Sequence, residues 1–179
     1  MTIARVELWG RTIGAVSWDR DKNCGYFEYE PAFINSKIEI APIRMPLSKQ
    51  IYSFPNLAYQ TFHGLPGLLA DSLPDRFGNA LIDTWLAKEG RSPESFNPVE
   101  RLCYTGKRGM GALAFSPAIG PSQQDSQQVE LQKLVELAGE ILTQRSALDG
   151  SFNTPAREKA LLDILRVGTS AGGARAKAI

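Results

Sequence analysis

The stretch IARVELWGRTIGAVSWDRDKNCGYFEYE, residues 3–30, alternates apolar and polar side chains at the period of β-strands. The alternation runs through three segments: residues 3–9, 12–18 and 24–30. Gly10-Arg11 separates the first two segments, and the polar residues 19–23 separate the second from the third. Because short turns join antiparallel neighbours, we expect a three-stranded antiparallel meander, and no helix, over this stretch.

The segment 31–66 contains prolines at intervals too short for a long helix. They are Pro31, Pro42, Pro46, Pro55 and Pro66. A proline lacks a backbone donor and ends or kinks a helix. The sequence therefore predicts short strands or extended loops in this segment.

A helical period follows the proline-broken segment. We expect the helix to begin around Leu73-Pro74, with Ser72 as its cap and Asp75 stabilised by the positive end of the helix dipole. Its large apolar residues fall on one face: Phe77, Leu81, Trp85 and Leu86. We expect this face to be buried and Gly90 to end the helix.

The remainder of the chain predicts a short helical turn, one strand and two further helices. The turn covers residues 99–103 and the strand covers 112–115. One helix has an apolar stripe from Val129 to Leu142, and the other opens at Thr154-Pro155 and ends at Gly168.

These elements predict an α+β fold, in which an antiparallel meander or small barrel is followed by helices. We place a β-rich subdomain with one major helix over residues 1–120. A second region, residues 121–179, holds the later helices and a glycine-rich loop.

The composition of the chain is that of an ordinary globular protein, with 179 residues, 43% of them apolar and 22% charged. The 20 basic and 19 acidic residues are interspersed, which argues against direct DNA binding because a DNA-binding protein usually has a concentrated basic stripe. The N-terminus has no signal pattern and no apolar run is long enough to span a bilayer, so we expect a cytoplasmic protein without a membrane segment.

Cys24 and Cys103 lie in unrelated segments without metal-ligand spacing. This spacing argues against a structural zinc site and against a disulfide scaffold. We expect both thiols to be buried or idle.

Several other residues have both a structural and a functional interpretation. His63 is interpreted as a loop or packed histidine, with a ligand or base as the alternative. Asp71 and Asp75, with Arg76, are interpreted as helix-start carboxylates, with an acid/base pair as the alternative. The turn 106–109 is interpreted as solvated, with a contact to nucleic-acid phosphate as the alternative. The three tryptophans are expected in the core: Trp9, Trp18 and Trp85.

The glycine-rich loop near the end of the chain is a candidate phosphate cradle. It consists almost entirely of small residues, from Gly168 to Ala174, so backbone N–H groups can approach an anion closely. Lys177 adds a positive charge nearby. The loop matches neither the P-loop nor the glycine-rich pattern of ordinary protein kinases, and a flexible connection between a helix and a strand is the alternative.

Three segments, in the same order along the chain, resemble the HipA family, the serine/threonine kinase toxins of bacterial toxin–antitoxin modules. They are LLADSLPDRFGNALIDTWL at 68–86, YTGKRGMGALAF at 104–115 and GTSAGGARAKA at 168–178. The resemblance implies that the second region begins a kinase-like nucleotide-binding lobe. It also assigns inhibitory autophosphorylation to Ser170 and the loop around the nucleotide phosphates to Ala171, Gly172, Gly173 and Ala174, with Lys177 as the basic position after the loop.

In that family the phosphate lysine, the catalytic aspartate and the metal ligands lie beyond this loop. The resemblance therefore implies the N-terminal portion of a longer kinase, which uses ATP and Mg²⁺, and a chain that is inactive and binds neither by itself. We expect no catalytic residue and no metal ligand within these 179 residues.

The implied partners are a small helix-turn-helix antitoxin of the HipB type and a protein substrate such as an aminoacyl-tRNA synthetase. DNA would be reached only through the antitoxin. A non-catalytic N-terminal module of a split HipA-type system is the alternative.

Overall fold

In the computed structural model, which describes residues 2–109 and 111–120, the N-terminal stretch forms part of a four-stranded antiparallel sheet. The strands are β1 (Thr2–Leu8), β2 (Arg11–Asp19), β3 (Cys24–Tyr29) and β4 (Leu113–Ser116). Their order in the sheet is β3-β2-β1-β4. The predicted meander is confirmed as β1 to β3. The edge strands β3 and β4 do not pair with each other, so this part of the chain forms an open sheet rather than a barrel.

The turn between β1 and β2 lies one residue earlier than predicted, at Trp9-Gly10 instead of Gly10-Arg11. Trp9 has φ 49° and Gly10 has φ 78°. Positive φ at both central residues is the geometry of the two-residue hairpin turn that matches the twist of the strands. Trp9 is therefore at the hairpin tip with 83% of its surface exposed, and its predicted place in the core is wrong.

The segment between the meander and the first long helix contains no long helix, as predicted, but it forms short helices where only short strands or extended loops were expected. They are α1 (Pro31–Ile34), α2 (Tyr59–Phe62) and α3 (Gly67–Ala70). Loops of this segment cover the free edge of β3. Phe27 and Tyr52 exchange two backbone hydrogen bonds of 2.9 and 2.7 Å, and the Gly25 N–H donates to the Gly64 carbonyl at 2.8 Å.

The long helix α4 (Arg76–Lys88) belongs to a second structural unit, which begins at Pro74. Its cap is Asp75, whose side chain accepts a hydrogen bond of 2.9 Å from the Gly78 N–H, so the prediction of Ser72 is wrong. The backbone N–H of Ser72 instead bonds to the carbonyl of Leu69, which makes Ser72 part of the preceding turn. Gly90 follows the helix with φ 68° and ends it, as predicted.

The apolar face of α4 is broader than its large residues indicated. Phe77, Leu81 and Leu86 are buried as predicted, together with Ile82 and Thr84. Trp85 is only half-buried, so its predicted full burial is wrong. An indole is too large to be covered completely in most positions, and Trp85 lies in the last turn of the helix.

The helix α5 (Pro98–Thr105) packs against the inner face of the sheet and extends the helical turn predicted at 99–103. A capping box begins it, because the Asn97 side chain accepts from the Glu100 N–H and the Glu100 side chain accepts from the Asn97 N–H. The Asn97 amide also donates to the hydroxyl of Thr2 at 3.0 Å, which ties the start of α5 to the start of β1.

The core lies between the sheet and the elements that cover its inner face. It includes Trp18, which is buried as predicted, and side chains from all four strands and α5: Ala4, Val6, Val16, Phe27, Tyr29, Val99, Leu102 and Phe115. No helix among residues 2–109 and 111–120 is long and apolar enough to cross a membrane.

Both thiols are free and buried, as predicted. Burial raises the pKa of Cys103 to about 11, and the nearby Glu100 adds to the shift.

The thiol of Cys103 makes stability dependent on alkaline pH. The unfolded thiol ionises near its ordinary pKa of 9, whereas the folded thiol stays protonated, so the unfolded chain binds fewer protons as pH rises. We expect this thiol to lower the free energy of unfolding by about 1.4 kcal/mol between pH 8 and pH 10, and the difference in urea titrations between the protein and a variant without the thiol measures it. The Cys103→Ala variant should be less stable at pH 8 and should lose much less on going to pH 10. Equal pH slopes in both proteins would contradict the buried thiol.

Predictions for the later part of the chain fall outside the described residues. These are the two helices after residue 120 and the glycine-rich loop. The subdomain boundary at residue 120 stays a prediction.

Candidate functional site

The residues assigned to the phosphate loop lie outside the part of the chain that the structure describes. They are Ser170, Ala171, Gly172, Gly173, Ala174 and Lys177. Within residues 2–109 and 111–120, no three His, Cys, Asp or Glu side chains are grouped so that they could hold a metal ion. The candidate site that the described residues do form is an apolar pocket in the proline-broken segment.

This pocket has a volume of about 510 Å³ and is formed by two stretches of chain, residues 41–45 and 54–68. Its lining is almost entirely apolar: Ala41, Pro42, Ile43, Met45, Phe54, Leu57, Phe62, Gly67 and Leu68, with Arg44 as the single charged member. Met45 is buried, whereas Ile43 is 90% exposed. The pocket therefore has a buried apolar wall and an apolar residue open to solvent.

Two core tyrosines hold the 41–48 segment in place. The hydroxyl of Tyr29 donates to the Met45 carbonyl at 2.8 Å, and the hydroxyl of Tyr52 donates to the carbonyl of Pro46. The hydroxyls of Tyr52 and Ser48 are also hydrogen-bonded, at 2.9 Å. Tyr29 and Tyr52 contact each other edge to face, with ring centroids 5.9 Å apart. The wall of the pocket is thus fixed to the sheet through phenol hydroxyls.

The phenol of Tyr29 remains a donor over the whole physiological pH range. Burial raises its pKa to about 12, and the neighbouring Tyr52 and Glu39 add to the shift. The hydrogen bond to Met45 is therefore unaffected by ordinary changes of pH.

Replacing Tyr29 by phenylalanine tests this attachment. The change keeps the ring and leaves the buried Met45 carbonyl without its donor, so we expect a loss of about 1–2 kcal/mol in the free energy of unfolding. Urea denaturation followed by fluorescence measures it. The matched control is Tyr59→Phe, because Tyr59 is half-exposed, and it should change stability by less than about 0.5 kcal/mol. Equal losses in the two variants would show that the Tyr29 hydroxyl does not hold the segment.

Arg44 provides the charge at the pocket. Its side chain is exposed, and it has no hydrogen bond or ion pair within the described part of the chain. The nearest acidic residue in sequence, Glu39, has its carboxylate 3.4 Å from the N–H of Leu47, from which it accepts a hydrogen bond. The guanidinium is therefore available to an anion at the pocket.

The structure shows where His63 and the two aspartates Asp71 and Asp75 lie relative to the helices. His63 is exposed and ends α2 in a left-handed conformation, φ 49°, so it is a loop residue. The carboxylate of Asp75 caps α4, which confirms the helix-start interpretation for this residue. Asp71 instead follows the last residue of α3 and is exposed, so the helix-start interpretation is wrong for Asp71.

The turn at 106–109 contains two basic residues, but only one of them is exposed to solvent. Arg108 donates to the Tyr104 carbonyl, and its guanidinium lies 4.7 Å from the centre of the Tyr104 ring. Lys107 is exposed. Because the guanidinium of Arg108 is held against Tyr104 of α5, only Lys107 of this turn presents its charge to solvent, and a pair of basic side chains for a phosphate is not available.

Sequence reasoning missed the pocket. It interpreted the prolines between residues 31 and 66 as helix breakers and made no use of the apolar residues between them. A signal was present, because Ile43, Met45, Phe54 and Leu57 give this irregular segment the apolar content of a buried one. Without a regular period, however, such residues do not indicate which face they share.

In a comparison with protein families, residues 4–116 match the HipA N-terminal domain. The match covers α1 to α5, the apolar pocket and the sheet apart from the first two residues of β1. A search of curated proteins and a search of solved structures gave no match to the chain. Because the matched residues make up more than half of the 179, the chain belongs to the HipA family, of which it carries the N-terminal domain.

Proposed function

We propose that the chain is the N-terminal portion of a HipA-like serine/threonine kinase of a toxin–antitoxin module. The complete protein would transfer a phosphoryl group from ATP to a serine or threonine of a protein such as an aminoacyl-tRNA synthetase. The observation that carries the proposal is the family match over residues 4–116. The resemblance of the 168–178 loop to the same family supports it independently, since that loop lies outside the matched range.

In this proposal the loop residues form one side of the nucleotide site. The small side chains at 171–174 allow backbone N–H groups to approach the phosphates of ATP, and Lys177 contributes positive charge. Mg²⁺ would neutralise charge on the phosphates when it is bound. Phosphorylation of Ser170 would add a doubly charged group in this loop and displace it from the nucleotide.

A helix-turn-helix antitoxin of the HipB type is the proposed partner, and DNA would be bound by the antitoxin rather than by this chain. The interspersed charges of the chain, 20 basic and 19 acidic, are consistent with this division. The proposed compartment is the cytoplasm.

A transfer assay with radiolabelled ATP and Mg²⁺ tests the kinase proposal. A full-length protein containing this chain should become labelled on Ser170, and the 179-residue chain alone should show no transfer. The reason is that phosphoryl transfer needs a positioned carboxylate and metal ligands, which the family resemblance places after the loop. Mass spectrometry of the labelled protein identifies the modified residue.

Ser170→Ala in the full-length protein should abolish the label, whereas the control Ser151→Ala should leave it unchanged. Label on other serines and never on Ser170 would contradict the assigned role of the loop. Comparable transfer by the 179-residue chain would overturn the proposed division of the catalytic residues.

A split system is the second candidate function, because the family match covers the N-terminal domain alone. In such a system this chain would be a non-catalytic module that binds a separately encoded kinase. The glycine-rich loop with Ser170 argues against it, since a detached module has little use for a phosphate loop. Sequencing the coding region after codon 179 distinguishes the two: kinase residues in the same reading frame support the first proposal.

A further inference from the structure

We propose that the apolar pocket at residues 41–68 binds a small anionic amphiphile, an apolar molecule that carries one carboxylate or a similar anionic group. The proposal depends on the geometry of the pocket and not on the kinase activity proposed above. No residue of the phosphate loop takes part in it.

The apolar part of the argument is the size and lining of the pocket. Its volume of about 510 Å³ is in the range of small-molecule sites, which are mostly apolar with a few polar groups that fix orientation. Met45 is buried in the wall, and Phe54, Phe62 and Leu68 are half-buried around it. An apolar ligand would cover these side chains and gain free energy from the area that both remove from water.

The charged part of the argument is Arg44. It is the single charged side chain of the lining, it is exposed, and no carboxylate in the described ranges pairs with it. A guanidinium presents donors in a planar fork that matches a carboxylate. A ligand with an apolar body in the pocket and an anionic head at Arg44 therefore satisfies both parts of the site.

The surroundings favour a small molecule over a protein segment. An added β-strand needs a free sheet edge, but the edge of β3 is already bonded to Tyr52 and Gly64. The 41–45 stretch is held to the core by Tyr29 and Tyr52, so the pocket exists before any ligand arrives. A preformed pocket of this size suits a compact ligand, because little ordering is needed on binding.

The test is an NMR titration of the ¹⁵N-labelled chain with octanoate, below its micelle-forming concentration. Octan-1-ol and octylammonium serve as matched ligands with the same apolar chain and a neutral or positive head. We expect saturable shifts of the amide signals of Ile43, Met45, Leu57 and Leu68. Octanoate should bind about fivefold more tightly than octan-1-ol, which is the effect of one exposed ion pair, and octylammonium should bind most weakly.

Two pairs of variants assign the contributions of charge and apolar surface. Arg44→Gln should weaken octanoate binding about fivefold and leave octan-1-ol binding unchanged, whereas the control Lys49→Gln should alter neither. Ile43→Ser should weaken both ligands, whereas the control Ile51→Ser removes an isoleucine that is 60% exposed and outside the lining, and should alter neither. All four positions are exposed, so the variants are expected to fold.

Several results would overturn the proposal. Octan-1-ol binding as tightly as octanoate, or Arg44→Gln leaving octanoate binding unchanged, would remove the role of the charge. The absence of saturable shifts at the pocket would remove the site. Binding of an acidic peptide with an aromatic residue, where octanoate fails to bind, would show that the pocket accepts a protein segment instead.

Discussion

Phe27→Ala is expected to lower the free energy of unfolding by about 3–5 kcal/mol, enough to unfold much of a marginally stable domain. Phe27 is completely buried in the core beneath the sheet, and its ring meets that of Tyr29 edge to face with centroids 4.9 Å apart. Its neighbours are fixed by backbone pairing with Val16 on one side and Tyr52 on the other. Because they cannot close in, removing the ring leaves a cavity.

Urea denaturation of the purified chain measures the loss. The control is Glu28→Ala, the next residue on the same strand, which is exposed and should change stability by less than about 0.5 kcal/mol. If Phe27→Ala does not fold, Phe27→Leu keeps most of the volume and should cost about 1.5 kcal/mol. A loss at Phe27 no larger than that at Glu28 would contradict the position of the ring in the core.

Gly64→Ala is expected to cost about 3 kcal/mol or more through backbone strain and a steric clash together. Gly64 has φ 73°, a conformation that residues with a side chain adopt at a cost. A Cβ atom there would lie 2.3 Å from the carbonyl oxygen of Asn23 and 3.0 Å from the indole of Trp18. Relief requires the loop to move away from β3, which would stretch the bond from the Gly25 N–H to the Gly64 carbonyl.

Gly10→Ala separates the two causes. Gly10 has φ 78°, close to that of Gly64, but a Cβ atom at Gly10 meets nothing within 4 Å. Gly10→Ala should therefore show the backbone strain alone, about 1–2 kcal/mol, in the same urea measurement. The difference in the free energy of unfolding between the two variants measures the cost of the steric clash with Asn23. Equal losses would mean that Gly64 lies farther from the Asn23 carbonyl than in the structure.

Local patterns in the sequence predicted the elements whose causes are local. The alternation over residues 3–30 predicted three strands, because residues on a strand that has one buried face must alternate. The prolines between 31 and 66 excluded a long helix, because each removes a donor and fixes a backbone angle. Gly90 was correctly placed at the end of α4 for the same kind of reason, since glycine adopts positive φ without strain.

The positions of turns and caps were less accurately predicted. Trp9 continued the strand alternation and was therefore expected in the core, and Ser72 is a residue type that caps helices. In both cases the structure places the turn or the cap at a different residue. The two-residue turn places Trp9 at the tip of the hairpin instead of in the core. Asp75 reaches the N–H of Gly78 and displaces Ser72 as the cap. Such choices differ by about 1 kcal/mol, which the packing of the whole domain can override.

The apolar pocket was not predicted from the sequence, and the predicted phosphate loop stays a prediction. The sequence predicted a phosphate loop at 168–177, which falls outside the described residues, and it gave no indication of the pocket at 41–68. The pocket requires the hydroxyl of Tyr29 on β3 to reach the carbonyl of Met45, a contact between a strand and an irregular loop. Irregular segments have no period, so their apolar residues do not reveal their partners.

The sequence alone determined which stretches are strands, where prolines exclude a long helix and where α4 ends. These features depend on the period of apolar residues and on the backbone restrictions of proline and glycine, both of which act between near neighbours in the chain. Tertiary structure alone decided that β4 pairs with β1, bringing Phe115 opposite Val6, and that Asn97 bonds to Thr2. These partners are about a hundred residues apart in the chain. Their pairing is stabilised by the apolar area that the sheet, α5 and the covering loops bury together, which no single segment encodes.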